Sequence, residues 1–196
     1  MMERTFQSNS ITRTLARMIL RLKFWKLDVT VPAFSKYVLI GAPHTSNWDF
    51  IYFLLLMHAA GIRLHWIAKD SLFRWPSGGL MRWLGGIPVD RRSKNNFVLQ
   101  IVEVFNKAEN MVIAISPEGT RGKTHYWKTG FYYIASGAGV PIAFGFIDYA
   151  RKVLGIGPTL LPSGDIQADF IQIQAFYADK QGRYPDQQGK VSLQAE

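Results

Sequence analysis

The chain has 196 residues, which suits one domain and leaves little room for two. Its 48% apolar fraction is enough to build a sizeable core and excludes an intrinsically disordered chain, and the absence of cysteine excludes a disulfide scaffold, a thiolate zinc site and a cysteine nucleophile. The 23 basic and 14 acidic residues give a net charge of +9, so we expect a polyanionic partner: a nucleic acid, an anionic membrane or a phosphorylated substrate.

The N-terminal part carries apolar residues at helical spacing, with arginines and lysines between them, over residues 11–28. This pattern predicts a basic amphipathic helix of the type that lies on anionic membranes. An ordinary surface helix packed on the domain is the other interpretation, and the two are compatible. The longest apolar stretch, residues 50–60, is too short for a membrane-spanning helix of about 20 residues, and we see no signal peptide.

The following predicted elements alternate between strands and helices. Short apolar runs predict strands at residues 37–40, 64–68, 87–89, 111–115, 140–147 and 152–156. Helical patterns occur at residues 49–60, in part of 71–84, and at 95–108, 129–136 and 168–176. The alternation predicts an α/β fold: a single layered domain with a central, mostly parallel sheet flanked by helices, preceded by the N-terminal basic amphipathic helix.

We therefore divide the chain into an amphipathic segment (1–30), a main domain (31–180) and a polar C-terminal tail (181–196). The last dozen residues are polar, and we expect them to be loosely held.

The first candidate site follows the strand at 37–40, where His44 precedes Asp49 by five residues. Ligands of α/β sheets gather beyond the carboxyl ends of strands. A carboxylate that reaches one imidazole nitrogen fixes the tautomer and makes the histidine a general base. The alternative is a helix-capping aspartate beside a solvent-facing histidine.

Two further loops with anion-binding side chains follow predicted strands. In the segment 116–121, Gly119 allows close backbone approach to a ligand, Thr120 offers a hydroxyl and Arg121 offers a planar fork suited to phosphate. The segment 86–92 adds the guanidinium groups of Arg91 and Arg92. Either loop alone would more often be a surface turn. Together with the histidine loop, they indicate one site with a base and anion-binding groups.

These segments give the chain a resemblance to a known family. It resembles the glycerolipid acyltransferases of the lysophosphatidic acid acyltransferase type, which carry four ordered sequence blocks. The matching blocks are His44 with Asp49, the stretch 85–91, the Pro-Glu-Gly-Thr-Arg sequence at 117–121, and the Val-Pro-Ile sequence at 140–142. The resemblance covers about residues 38–147 and makes 31–180 the acyltransferase domain.

The resemblance implies a role for each matching residue. His44 would be the general base for an acceptor hydroxyl and Asp49 would orient it, so the hydroxyl attacks an acyl thioester without an acyl-enzyme. The residues implied in binding the acceptor, chiefly its phosphate, are Arg91, Glu118, Gly119 and Arg121, with Thr120 and Lys69 as contributors, and Asn47 would help to hold the loop. No cofactor is implied, and no histidine pair has the spacing of a helical zinc site, so we expect no metal.

The implied function is transfer of a fatty acyl group from acyl-CoA or acyl-carrier protein to 1-acylglycerol-3-phosphate, in phospholipid synthesis. The implied location is cytoplasmic and peripheral on an anionic membrane surface, with no nucleic-acid partner. One alternative keeps the chemistry but changes the acceptor to a lyso-ornithine lipid, a glycolipid precursor or another lysophospholipid. The other alternative is a basic, non-catalytic module that binds membranes or nucleic acid, based on the charge and the interleaved aromatic residues.

Overall fold

A central sheet organises the molecule. A computed structural model describes residues 8–89 and 94–194, without the side chains of residues 68, 69 and 94–96. Within these residues the strands are Lys26–Val29 (β1), Lys36–Ala42 (β2), Leu64–Lys69 (β3), Gly86–Val89 (β4), Met111–Ile115 (β5), Ile142–Asp148 (β6) and Val153–Leu160 (β7). They form one sheet in the order β1-β7-β6-β2-β5-β3-β4. Neighbouring strands run parallel except β6 and β7, which confirms the predicted mostly parallel α/β sheet.

The helices connect these strands and cover both faces of the sheet. Their bounds are Ser10–Leu22 (α1), Asn47–Ala60 (α2), Gly78–Trp83 (α3), Lys94–Lys107 (α4), Gly130–Ala138 (α5) and Ile166–Tyr177 (α6), with 3-10 turns at Asp70–Phe73 and Pro185–Gln187. In the described part of the chain, no helix has both the length and the apolar character needed to cross a membrane.

Strand β2 shows why the core has two layers. Its side chains alternate between the faces of the sheet, as in any strand, and those on both faces are buried. Val38 and Ile40 join a cluster with residues of α4, α5 and α6, whereas Tyr37 and Leu39 join a cluster with residues of α1 and α2. A continuous apolar run is typical of a strand with helices on both sides.

The predicted helix at 11–28 is correct only in its first part. The helix ends at Leu22, Phe24 adopts a positive φ of 59°, and β1 pairs in parallel with β7. Trp25 is buried between helix and strand and contacts Tyr52 and Tyr149. A side chain buried against the domain anchors the chain here, and the next residues gain hydrogen bonds by joining the sheet edge.

The C-terminal segment also differs from expectation, because residues 180–194 lie against the domain. Tyr149 donates its backbone N–H to Gln181, and Trp127 donates its own to Ser192. Val191 and Leu193 pack on the core. These contacts hold the polar segment in place although it has no regular element other than one 3-10 turn in its described part.

The topology brings the site together. Strands β2, β3, β4, β5 and β6 run in the same direction, so their carboxyl ends meet at one edge of the sheet. The loops that follow β2, β5 and β6 carry His44, Glu118 and Tyr149. This edge is where ligands of open α/β sheets bind.

Candidate active site

His44 and Asp49 form a hydrogen-bonded pair at this edge. The imidazole Nδ1 lies 3.1 Å from Asp49 Oδ2. The Asp49 side chain is 5% exposed, whereas that of His44 is 27% exposed. The buried carboxylate thus sits behind the ring, and the ring is open to solvent and to a substrate.

Asp49 owes its position to the start of α2. Ser46 is the N-cap, and its hydroxyl accepts the N–H of Trp48. In return Asp49 Oδ2 accepts the N–H of Ser46 at 2.8 Å, completing a capping box, and also that of Thr45 at 2.8 Å. Asp49 is therefore both a helix cap and the partner of His44. The cap and the contact with the imidazole therefore occur together, and the general-base role of His44 stays a prediction.

The pair fixes the chemistry available to the imidazole. A carboxylate oxygen that already takes two backbone N–H groups is an acceptor, so His44 Nδ1 carries the proton. His44 Nε2 is then the nitrogen with a free lone pair. A neutral imidazole of this tautomer can remove a proton from a hydroxyl, and the Asp49 charge stabilises the imidazolium that results.

Glu118 ties the loop after β5 to the loop after β2. Its carboxyl group is buried, and Oε2 accepts the backbone N–H of His44 at 2.8 Å. The pKa of Glu118 is raised to about 8, chiefly by burial; the hydrogen bond from His44 opposes the rise, and the nearby Asp49 charge contributes to it. In this geometry Glu118 supports the backbone of the histidine.

Glu118→Gln should remove a pH dependence of stability. Because the folded pKa of about 8 exceeds the ordinary 4.5, folding holds a proton that the unfolded chain releases. The contribution of Glu118 to the stability of the wild type should therefore be fully present below pH 4.5 and be lost as the pH rises through about 8. The glutamine side chain of the variant keeps an acceptor for the His44 N–H but cannot ionise, so the free energy of unfolding of the variant should fall less over this range.

Urea unfolding across the range measures this difference, with Glu109→Gln, a change at an exposed glutamate, as the matched control. If the free energies of unfolding of the wild type and of Glu118→Gln changed with pH in parallel, the raised pKa of Glu118 would be contradicted.

Residues 119–121 of this loop lie at the surface. Gly119 has a φ of 67°, a backbone conformation that favours glycine, and the Lys128 side chain lies across it, with Nζ 2.9 Å from where a Cβ would be. Thr120 Oγ1 accepts the N–H of Gly122. The exposed Arg121 guanidinium contacts the side-chain oxygen of Asn47, which joins this loop to the start of α2.

For two predicted binding residues, Lys69 and Arg91, the structure does not describe the side chain. Lys69 is the last residue of β3 and pairs with Val89 of β4, which places its backbone at the same sheet edge. Arg91 lies outside the described residues. Both stay predictions.

Contacts from distant parts of the chain were missed by sequence reasoning. The Tyr149 hydroxyl donates to Asp49 Oδ1 at 2.6 Å. Tyr184 donates its backbone N–H to Thr45 Oγ1. The side-chain amide nitrogen of Gln187, oriented toward this loop, donates to the backbone carbonyls of Arg121 and Thr45. The position of Tyr149 directly after a predicted strand was a usable signal, because the other site loops share it. The polar C-terminal segment offered none.

Residues 8–89 and 94–194 contain no group of three histidine, aspartate or glutamate side chains placed to hold a metal ion. The chemistry described above is that of an imidazole, a carboxylate and surrounding cations.

Comparison with known proteins agrees with this geometry. A model of the acyltransferase family matches residues 27–143, more than half of the chain. The comparison with curated proteins gives no match. Among solved structures, the chain is similar to the 1-acyl-sn-glycerophosphate (LPA) acyltransferase PlsC from Thermotoga maritima, with a TM-score of 0.56, 18% identity and coverage of 83% of this chain and 73% of that one. This likeness shows a shared fold, and the family match, which includes the His44 and Glu118 loops, shows that the chain belongs to the acyltransferase family.

Proposed function

We propose that this enzyme transfers a fatty acyl group from a thioester, acyl-CoA or acyl-carrier protein, to the hydroxyl of 1-acylglycerol-3-phosphate. The observation that carries the proposal is the His44–Asp49 pair, with Nδ1 and Oδ2 3.1 Å apart. The pair places His44 Nε2, the candidate base, at the ligand-binding edge of the sheet. A hydroxyl acceptor needs such a base, and a thioester supplies a leaving group that needs no metal for activation.

The proposed reaction is one direct displacement. His44 Nε2 takes the proton of the acceptor hydroxyl as its oxygen bonds to the thioester carbonyl carbon. The carbon–sulfur bond then breaks, and the proton on His44 leaves with the sulfur as a thiol. Asp49 stabilises the transient imidazolium throughout. No acyl-enzyme forms, in keeping with a chain that has no cysteine.

Cations around the site support a phosphorylated acceptor. Arg121 is exposed beside Asn47, and Lys128 lies across Gly119 in the same loop. A planar guanidinium can bind phosphate through two parallel hydrogen bonds. We assign the acceptor phosphate to Arg121, with Gly119, Thr120 and Lys128 around it and with Arg91 and Lys69 as further proposed contacts. Glu118, by its bond to the His44 N–H, would serve this site by positioning the histidine.

The test is thiol release from a long-chain acyl-CoA, and then from an acyl-carrier-protein thioester, with lysophosphatidic acid in detergent. Monoacylglycerol, which has the hydroxyl but no phosphate, is the matched acceptor control. We expect acceptor-dependent release with lysophosphatidic acid and little with monoacylglycerol. Release with another lysolipid alone would keep the chemistry and change the acceptor. Failure with both donors across all lysolipids would overturn the proposal.

We also propose that α1 holds the enzyme on an anionic membrane, at the cytoplasmic surface. Ala16 and Leu20 are buried on the domain side of this helix. The other side presents an exposed apolar stripe, which consists of Ile11, Leu15, Met18 and Leu22. Arg13 lies against Gly61, and Arg17 bonds the carbonyl of Ala59, so both also secure the helix to the carboxyl end of α2. An amphipathic helix that is docked on the domain and carries arginines beside its exposed apolar stripe is suited to binding the negatively charged cytoplasmic leaflet.

Replacing Leu15 and Leu22 together by glutamate should weaken membrane binding by about tenfold or more, because each leucine loses its apolar contact with lipid. Their side chains are 48% and 69% exposed, so the fold should be unchanged. Co-sedimentation with anionic phosphatidylglycerol vesicles measures the effect. The difference from binding to phosphatidylcholine vesicles, which carry no net charge, gives the electrostatic part.

The matched control is the pair Leu99→Glu and Leu161→Glu, at positions 61% and 67% exposed and away from α1. Equal vesicle binding by the two double variants would remove α1 as the membrane contact.

A further inference from the structure

We propose that Tyr149, which lies outside the recognised sequence blocks, is a positioning residue that fixes the Asp49 carboxylate for acyl transfer. This inference rests on the proposed function, because it assigns Tyr149 a task in the His44–Asp49 pair. It would make Tyr149 the third member of a hydrogen-bonded series that runs from the imidazole into the domain.

The two carboxylate oxygens of Asp49 have different partners. Oδ2 accepts from His44 Nδ1 and from the backbone N–H groups of Thr45 and Ser46. Oδ1 accepts the Tyr149 hydroxyl at 2.6 Å, a short bond of the charge-assisted kind. The capping interactions therefore hold one oxygen, and Tyr149 holds the other. Two fixed oxygens define the plane of the carboxylate and with it the direction in which Oδ2 faces the imidazole.

Tyr149 is itself held from two sides. Its backbone N–H donates to Gln181 O at 2.9 Å, so the C-terminal segment supports it. Its ring packs edge-on against the buried Trp25, with centroids 5.1 Å apart, and also against Tyr52. Both the segment before the sheet and the segment after α6 thus contact this one residue, the first at its ring and the second at its backbone. A side chain held this firmly can transmit a fixed position to its hydrogen-bond partner.

The phenol stays a donor under working conditions. Burial raises the pKa of Tyr149, and the hydrogen bond to Asp49 and the Asp49 charge raise it further. Arg183 opposes this rise and Tyr52 adds to it. The other titratable groups at the pair are His44 itself and Glu118, whose carboxyl group is buried on the far side of the histidine backbone.

Tyr149→Phe removes one hydroxyl and keeps the ring that packs on Trp25 and Tyr52. We expect kcat for thiol release to fall about tenfold while KM for both substrates changes less than about twofold. The acidic limb of the pH–rate profile should move to higher pH, because the Asp49 charge is then shared with one donor fewer. In an Asp49→Asn background the same change should add no further loss, since the group that it positions is already altered.

Tyr52→Phe is the matched control, because it removes a hydroxyl from the same aromatic cluster while Asp49 keeps its four donors. It should match the wild type in rate and in pH profile. An unaltered rate for Tyr149→Phe would overturn the inference, as would a loss that merely tracks the folded fraction with an unmoved pH limb, or losses that multiply in the double variant. Two further results separate the role of Tyr149 from the proposed function: absence of acceptor-dependent thiol release by the wild type would overturn the function itself, and retained activity in His44→Ala would overturn only His44 as its base. If His44→Ala is inactive while Tyr149→Phe keeps the wild-type rate, only the role of Tyr149 fails.

Discussion

His44→Ala is expected to lower the rate of acyl transfer by about 10²- to 10⁴-fold, the usual contribution of a positioned general base. The acceptor hydroxyl is a poor nucleophile while it keeps its proton. Without an imidazole Nε2, that proton has to go to water. The KM for the acceptor should change little, because the residues proposed to bind the phosphate are untouched. Steady-state thiol release with varied acceptor measures both quantities.

The fold should tolerate this change, which makes the loss interpretable. The His44 side chain is partly exposed, and Asp49 keeps the donors Thr45, Ser46 and Tyr149 when the imidazole is removed. Thermal unfolding should therefore resemble that of the wild type. His125→Ala, at an exposed histidine in the loop after Arg121, is the matched control and should retain full activity. A folded His44→Ala variant with near-normal turnover would remove His44 as the base.

Much of this architecture could be predicted because its signals are local. The apolar run in β2 is buried on both faces, so a run without alternation correctly predicted a buried strand. The Ser46–Asp49 spacing fits a capping box, which the structure contains, and the box turns Asp49 back toward His44. The resemblance is confirmed at the level of the acyltransferase family, and the sheet order explains why separate sequence blocks meet at one edge.

The rest depends on contacts that no local pattern encodes. Tyr149 lies 100 residues from Asp49 in the chain, and their hydrogen bond exists only once β6 is placed beside β2. The C-terminal segment is polar, so periodicity could not reveal that Gln187 bonds the carbonyls of Arg121 and Thr45. The change from helix to strand after Leu22 likewise follows from the burial of Trp25 in the assembled domain.

Asp49→Asn should lower kcat by about 10²- to 10³-fold, a smaller effect than that of His44→Ala. The substitution removes the negative charge of the side chain but preserves its hydrogen bonds. The amide oxygen can take the place of Oδ2, where it accepts from Thr45, Ser46 and His44 Nδ1. The reverse orientation would set an NH₂ group against two backbone N–H donors, so the imidazole keeps its tautomer. What disappears is the negative charge that stabilises the imidazolium.

The sign of the pH effect distinguishes this loss from simple misplacement. Without the anion, protonation of the imidazole is less favourable, so the acidic limb of the pH–rate profile should move to lower pH. This is opposite to the shift expected for Tyr149→Phe. Asp49→Ala provides the structural contrast, because it leaves Thr45 N–H, Ser46 N–H and the Tyr149 hydroxyl without their acceptor. It should unfold at lower urea than Asp49→Asn, since each buried donor without a partner costs about 1–3 kcal/mol.

An Asp49→Asn variant with wild-type kcat would show that Asp49 is only a helix cap. A rate loss with an unmoved acidic limb would show that the charge of Asp49 does not act on the base. A lower rate together with a limb at lower pH requires an anion that acts directly on the imidazole. Within the described residues, Asp49 Oδ2, 3.1 Å from Nδ1, is the carboxylate oxygen placed to do so.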